Sequence, residues 1–347
     1  NKNSNRMSTA SKVTKLNIEG LIPATYSPFD SNGDVNLSII PSYAEFVSKQ
    51  GAKGVFVNGT TGESVSLSIK ERKSILEAWM KVAPKYNLKV LAMVSTNSIK
   101  DSQDLAKHAA SLGVDAISAM APSFFKTTTM NSLISFIRPI ALSAPNTPFY
   151  YYHIPSFTNQ NQVQQGDWNM FDMIQEIEKY DLIPNFVGLK YTGMYATFLS
   201  FADVMNILEY KNNKYEVFGG RDEMLLQLLC TGVKGFVGLS YNFAGKIYND
   251  MIKQFNNGKP NIEKLREIQR ISHKLSTIQT SVSAGKWGHK YMLVMCGLNV
   301  GDARPACVPL TDEDRIRLNK LALQWNKKYE NTNTGYDIFK PCVISKL

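Results

Sequence analysis

The fold class predicted for this 347-residue chain is α/β, a (β/α)8 TIM barrel with a C-terminal helical extension, and three observations predict it. Apolar runs of four to seven residues alternate with segments of helical period. The alternation repeats eight times between residues 20 and 255, the order and length of eight strand–helix units. After Gly258 the strand-like runs stop and the pattern is purely helical. Strands alternating with helices imply a parallel sheet. A doubly wound open sheet is the alternative arrangement of the same elements.

The first strand is predicted over residues 20–26 and the first helix over 36–50, with Ile39, Ile40, Tyr43, Phe46 and Val47 as its apolar stripe. GVFVN (54–58) is the second strand, and its helix (70–83) lines up Ile75, Leu76, Trp79 and Val82. A third strand (89–95) leads to a helix (99–112) that Gly113 closes from the C-cap side. The fourth unit is 116–120 with 130–142. The fifth strand (149–153) is followed by a Gln- and Asn-rich loop and a helix over 168–180. The last three units are 186–190 with 196–208, 215–219 with 223–229, and 235–239 with 243–255. Helices at 262–278, 282–296 and 311–329 form the extension. The expected organisation is a disordered leader (1–15, with Met7 a candidate start), a barrel (16–258), helices packed on it (259–330) and a flexible tail (331–347).

With 44% hydrophobic and 20% charged residues the composition is that of a globular protein. No apolar run approaches the ~20 residues that span a bilayer, and the leader has no apolar signal-peptide core. The cysteines (Cys230, Cys296, Cys307, Cys342) and histidines (His108, His153, His273, His289) are scattered, so reduced thiols and no metal site are expected. The net charge of +10 is spread along the chain without an arginine-rich helix, which argues against nucleic acid as partner.

In a barrel of this kind the strand carboxyl ends share one face, and chemistry collects there. The sixth strand runs Phe186-Val187-Gly188-Leu189 into Lys190. Alternation puts Phe186, Gly188 and Lys190 on one side, with Gly188 leaving space beside the lysine stem. An amine in apolar surroundings loses proton affinity and becomes a nucleophile toward carbonyl carbon. The plainer alternative is a lysine whose head reaches solvent. After the second strand, Asn58-Gly59-Thr60-Thr61-Gly62-Glu63 gathers N–H and O–H donors suited to a carboxylate or phosphate, or merely caps a helix. The fifth strand carries Tyr150 and Tyr152 on one side, Tyr151 and His153 on the other. A tyrosine beside the lysine can shuttle protons or simply fill core; His153 reads as structural. The seventh strand ends in Gly219-Gly220-Arg221-Asp222-Glu223, acids that bind hydroxyls or complement a helix N-terminus. The eighth ends in Gly238-Leu239-Ser240-Tyr241-Asn242. Together these are the equipment of a Schiff-base aldolase acting on a 2-oxo acid.

FVNGTTGE (56–63), YYYHIP (150–155), GLKYT (188–192), FGGRDE (218–223) and GLSYN (238–242) resemble the N-acetylneuraminate lyase and dihydrodipicolinate synthase family, in register from residue 20 to 255. FVNGTTGE with the following SLS, and YYYHIP, are most similar to the animal-type lyases. The resemblance implies that Lys190 forms the imine with substrate C2 and that Tyr152 moves protons during cleavage. It implies that Thr60 and Thr61 hold the carboxylate, that Thr192 stands near the C4 hydroxyl, and that Gly220, Asp222 and Glu223 hold the polyol tail. It implies no metal or organic cofactor, and a homotetramer. The synthases carry a glycine and an arginine after the proline; Pro155-Ser156-Phe157-Thr158 has no arginine, which favours cleavage of N-acetylneuraminate to N-acetylmannosamine and pyruvate. A family serine that contacts the sugar is Leu239 here, leaving Ser240, next in sequence, as the candidate substrate contact, although alternation points it elsewhere. Phe124 stands where bacterial members have a tyrosine, and the loop 159–167 is long. Leu239 motivates an alternative, an aldolase for another 2-oxo sugar acid; a silent sugar-acid-binding protein is the other. The terminal Ser345-Lys346-Leu347 reads as a peroxisomal address for an import receptor or as a chance ending on a cytosolic protein, so cytoplasm is the expected location and the peroxisome the alternative.

Overall fold

The computed structural model describes residues 13–158, 169–193, 199–282 and 287–340. Eight parallel strands form one sheet: β1 (Gly20–Pro23), β2 (Gly54–Val57), β3 (Lys89–Met93), β4 (Ala116–Ala119), β5 (Phe149–His153), β6 (Phe186–Tyr191), β7 (Glu216–Gly219) and β8 (Gly235–Gly238). From β2 to β8 each strand pairs with its neighbour in sequence, and β8 pairs back onto β1, Gly20 opposite Gly235. The last gap, β1 to β2, is bridged where Lys53 N–H donates to Leu21 O (2.8 Å) and Thr25 N–H donates to Phe56 O (3.1 Å). The sheet is therefore a barrel, and the open doubly wound arrangement is excluded. Six of the eight strands are buried throughout, and β3 and β7 at all but their first residue, which is why they read as continuous apolar runs rather than as alternating ones.

The helices are α1 (Ile40–Lys49), α2 (Ile69–Val82), α3 (Ile99–Ser111), α4 (Met130–Ala141), α5 (Pro155–Thr158), α6 (Met170–Lys179), α7 (Leu199–Glu209), α8 (Leu225–Cys230) and α9 (Gly245–Phe255). The extension supplies α10 (Ile262–Gln279), α11 (Gly288–Met295) and α12 (Asp312–Tyr329). Reciprocal caps start three of them: Ser68 with Glu71 on α2, Thr129 with Ser132 on α4, and Thr311 with Asp314 on α12. The single turn α5 has no counterpart in the sequence reading; the Thr158 hydroxyl donates to Ile154 O (3.0 Å) within it. The expected helix starts at 168 and 196, and the stretch 283–286, fall outside the described residues, as do the loop 159–167, Cys342 and Ser345-Lys346-Leu347.

Apolar side chains form two cores. The inner one fills the barrel and includes Ile22, Phe56, Leu91, Met93, Tyr150, Tyr152, Val187, Phe218 and Val237. The outer one lies between barrel and helices and takes in the packing faces of α10 to α12. Tyr150 and Tyr152 point inward and Tyr151 outward, as alternation predicts. In β6 alternation fails. Its pairing with β5 slips between Phe149 and Tyr150, so one extra residue sits in β6. Phe186 and Leu189 consequently face outward, while Val187 joins the inner core beside Lys190. Gly188 does not make room for the lysine stem either. A Cβ there would meet Glu216 O of β7 at 2.0 Å, so glycine is what lets the two strands approach.

The first and last described segments are tied to the barrel and to α12. Glu216 accepts from the backbone N–H of Leu16 (3.1 Å), Asn17 (3.2 Å) and Ile18 (2.8 Å), and Val13 and Leu16 pack under the inner core. Val13, within the expected leader, thus packs against the barrel. Near the other end Tyr336 and Phe339 are buried, and Trp325 Nε1 donates to Tyr336 O (2.6 Å). Residues 331–340 are thereby docked on α12 rather than loose.

Candidate active site

At the carboxyl ends of the strands a cleft of about 470 Å³ opens. Of the residues singled out from sequence, Thr60, Thr61, Tyr152, Lys190, Thr192, Gly220, Asp222 and Glu223 all line it. Ser240 does not. Its side chain is fully buried behind the wall, its N–H donates to Asp222 Oδ2, and Leu239 faces the cleft in its place. Leu239 continues the inward phase of Val237, so alternation turns Ser240 away from the opening, and a 3-10 helix begins there.

Lys190 is only 4% exposed. Its Nζ lies 3.9 Å from the centre of the Tyr152 ring and 4.2 Å from that of Phe56, two rings set edge to face at 5.7 Å. Ring faces favour the charged amine, but burial disfavours it more strongly. Burial brings the Lys190 amine down to about 7, with Asp222 pulling it up and Arg221 pushing it further down. Burial likewise raises the Tyr152 hydroxyl to about 12, partly offset by the neighbouring Thr60 hydroxyl and by Arg221. At neutral pH the site therefore holds an amine that is substantially uncharged beside a phenol that keeps its proton.

The other walls are placed by backbone. Thr192 Oγ1 donates to His153 O (2.6 Å), so its lone pairs are what it can offer the cleft. Thr192 N–H also donates to His153 O (3.0 Å), and Gly220 N–H donates to Tyr191 O (2.9 Å), which ties the ends of β5, β6 and β7 together. Thr60 Oγ1 is buried at the cleft wall beside the Tyr152 hydroxyl. Asp222 is buried against β8: a Cβ on Gly238 would meet its Oδ1 at 1.9 Å. Burial, and then the Glu223 charge, raise its carboxyl to about 7, against the pull of the Ser240 N–H and Lys190. His153 lies behind the site with its ring 4.9 Å from that of Tyr191, whose hydroxyl donates to Asp203 (2.9 Å), in keeping with a structural role.

Sequence reasoning missed several cleft residues. Ile154, Ser156 and Phe157 follow the tyrosine strand, Arg221 sits inside a quoted motif without a role, and Trp287 and His289 come from the extension. The first four were within reach of the strand-end argument. The last two were not, because no local signal tells which face of a C-terminal helix returns to the barrel mouth. Among the described residues no group of three or more His, Cys, Asp or Glu is placed to hold a metal ion, and no helix is long and apolar enough to cross a membrane.

The sequence matches the Dihydrodipicolinate synthetase family over residues 17–324. N-acetylneuraminate lyase A of Xenopus laevis is 41% identical over 253 residues, covering 73% of this chain and 78% of that protein. N-acetylneuraminate lyase of Danio rerio is 38% identical over 304 residues, 86% and 92% of the two chains. Among solved structures, the Proteus mirabilis N-acetylneuraminate lyase superposes with a TM-score of 0.79 at 28% identity, covering 92% of this chain and 99% of that one.

Proposed function

The chain belongs to the dihydrodipicolinate synthetase family, and from that premise we propose that it is a carbon–carbon lyase of the Schiff-base type that cleaves N-acetylneuraminate to N-acetylmannosamine and pyruvate. The observation that carries the reading is Lys190: a buried strand-end amine, held near neutrality between two rings, inside a cleft that also presents Tyr152, Thr60 and Thr192. Vertebrate relatives named N-acetylneuraminate lyase, similar over most of the chain, support the substrate.

The proposed sequence of events follows from these groups. Neutral Lys190 attacks C2 of the 2-oxo acid, and uptake of one proton from solvent with loss of water gives a protonated imine, a sink for the electron pair of the breaking C3–C4 bond. Thr60 and Thr61 hold the substrate carboxylate, the hydroxyls of both standing at the cleft wall as donors. Tyr152, protonated at neutral pH, relays the C4 hydroxyl proton between substrate and solvent. Thr192, whose own proton is spent on His153 O, accepts from a substrate hydroxyl. Gly220, Asp222 and Glu223 hold the polyol tail. The covalent partner is the lysine itself, so the proposal requires no organic cofactor, and the assembly proposed with it is a homotetramer.

Leu239 at the cleft wall favours a second reading, in which a different 2-oxo sugar acid is preferred. A panel of 2-oxo sugar acids assayed for pyruvate release separates the two. N-acetylneuraminate is expected to have the highest kcat/KM; a tenfold or larger preference for an acid lacking a hydroxyl on its tail would move the assignment to the second reading.

A further inference from the structure

We propose that Glu63 and Lys290 are positioning residues, a buried ion pair through which the C-terminal helices set the Thr60–Thr61 turn and thereby its grip on a substrate carboxylate. The inference rests on the function proposed above. The pair is fully enclosed, with side chains 0% and 2% exposed, and its Nζ to Oε1 distance is 2.9 Å. All three protons of the Lys290 ammonium are used: on Glu63 Oε1, on Ser27 O and on Asp302 O, each at 2.9 Å. Those acceptors come from the loop after β1, the turn after β2 and the loop after α11. The second carboxylate oxygen of Glu63 accepts from Arg304 N–H (2.8 Å). The Arg304 guanidinium then reaches Ser66 O (2.7 Å), Gly33 O (2.6 Å) and Glu71 Oε1 (2.6 Å), gripping the far side of the same turn.

The turn needs such a grip. Glu63 holds φ +55°, the left-handed region that costs a residue with a Cβ about 1 kcal/mol. Its N–H donates to Thr60 O (3.1 Å), and Ser64 N–H donates to Gly59 O (3.3 Å), so displacing Glu63 displaces the threonines. A buried ion pair is a poor source of net stability, since apolar residues of like volume often serve as well. What it supplies is a fixed distance between α11 and the turn. The two residues lie 227 positions apart in sequence, so the barrel alone lacks this contact.

Glu63→Gln tests the proposal. The amide keeps the shape and can still accept from Arg304 N–H, but loses the charge. The concentration of pyruvate giving half-maximal borohydride trapping on Lys190, and the KM for pyruvate in the synthetic direction, are expected to rise about tenfold or more, while the KM for N-acetylmannosamine, which has no carboxylate, stays within about twofold. Glu63→Gln combined with Lys290→Met removes both charges and serves where the single variant fails to fold. A lowered melting temperature with unchanged pyruvate half-saturation, or failure of both variants to fold, would make the pair merely structural and overturn the inference. A wild-type protein that traps no pyruvate would instead overturn the functional reading on which it stands.

Discussion

Lys190→Met is expected to abolish cleavage and at the same time to stabilise the protein. The reaction loses its only proposed covalent nucleophile, so kcat should fall by at least ~10,000-fold. Stability should move the other way. In the unfolded chain the amine keeps its ordinary pKa near 10.4, whereas the fold brings it down to about 7. Folding at neutral pH must therefore strip the proton or bury the charge, an ionisation penalty of about 4 kcal/mol that methionine does not carry. Between those two pKa values the unfolded state binds more protons than the folded one, so wild-type stability rises with pH across that window. The advantage of the methionine variant is then full below about pH 7, shrinks as pH rises, and vanishes above about pH 10.4. Chemical denaturation of both proteins at several pH values checks this. An unchanged or lower stability at pH 7 would mean that the lysine is not held near neutrality by burial.

Tyr152→Phe should separate the two halves of the chemistry. The ring that lies 3.9 Å from Lys190 Nζ is retained, so the amine keeps its apolar surroundings. Only the hydroxyl is lost. Pyruvate should still form its imine, with trapping rates within a few-fold of wild type, while kcat for sialic acid cleavage falls by about 100- to 10,000-fold, the range for removing one positioned acid–base group. Loss of imine formation together with cleavage would show that the hydroxyl is needed before the C–C bond is reached, and would return the proton relay to another group.

Much of this was legible in the sequence because a parallel barrel makes its own chemistry local. Each strand end is a short stretch, and Lys190, Tyr152, Thr60, Thr192 and Asp222 all stand at or just beyond such ends, so a reading strand by strand collects them at one face. The failures have physical causes of two kinds. The strict period of two assigned Val187 and Phe186 to faces they do not occupy, since a bulge in β6 shifts the phase by one residue. The other kind involves contacts between distant segments. Trp287 and His289 in the cleft, Lys290 on Glu63, Gln269 Nε2 donating to Glu223 O (2.5 Å), and Tyr336 OH donating to Asp250 Oδ2 (3.0 Å) all bring the extension onto the rest of the fold. No pattern in a single chain encodes such pairings. The same limit explains why Gly188 was assigned to the lysine when it serves the neighbouring strand.

The claim at the centre is that the Lys190 amine is uncharged often enough near neutral pH to attack a keto group: about half the time at its lowered pKa, against roughly 1 in 2,500 for an ordinary lysine at pH 7. Trapping the protein with pyruvate and borohydride from about pH 5 to about pH 9, followed by peptide mapping, measures this directly. The predicted result is a single reduced pyruvyl group on Lys190, formed at a rate that is half-maximal near pH 7 and falls on the acid side. Label on another lysine, or a rate still climbing above about pH 9 as it would for an exposed amine, would contradict it.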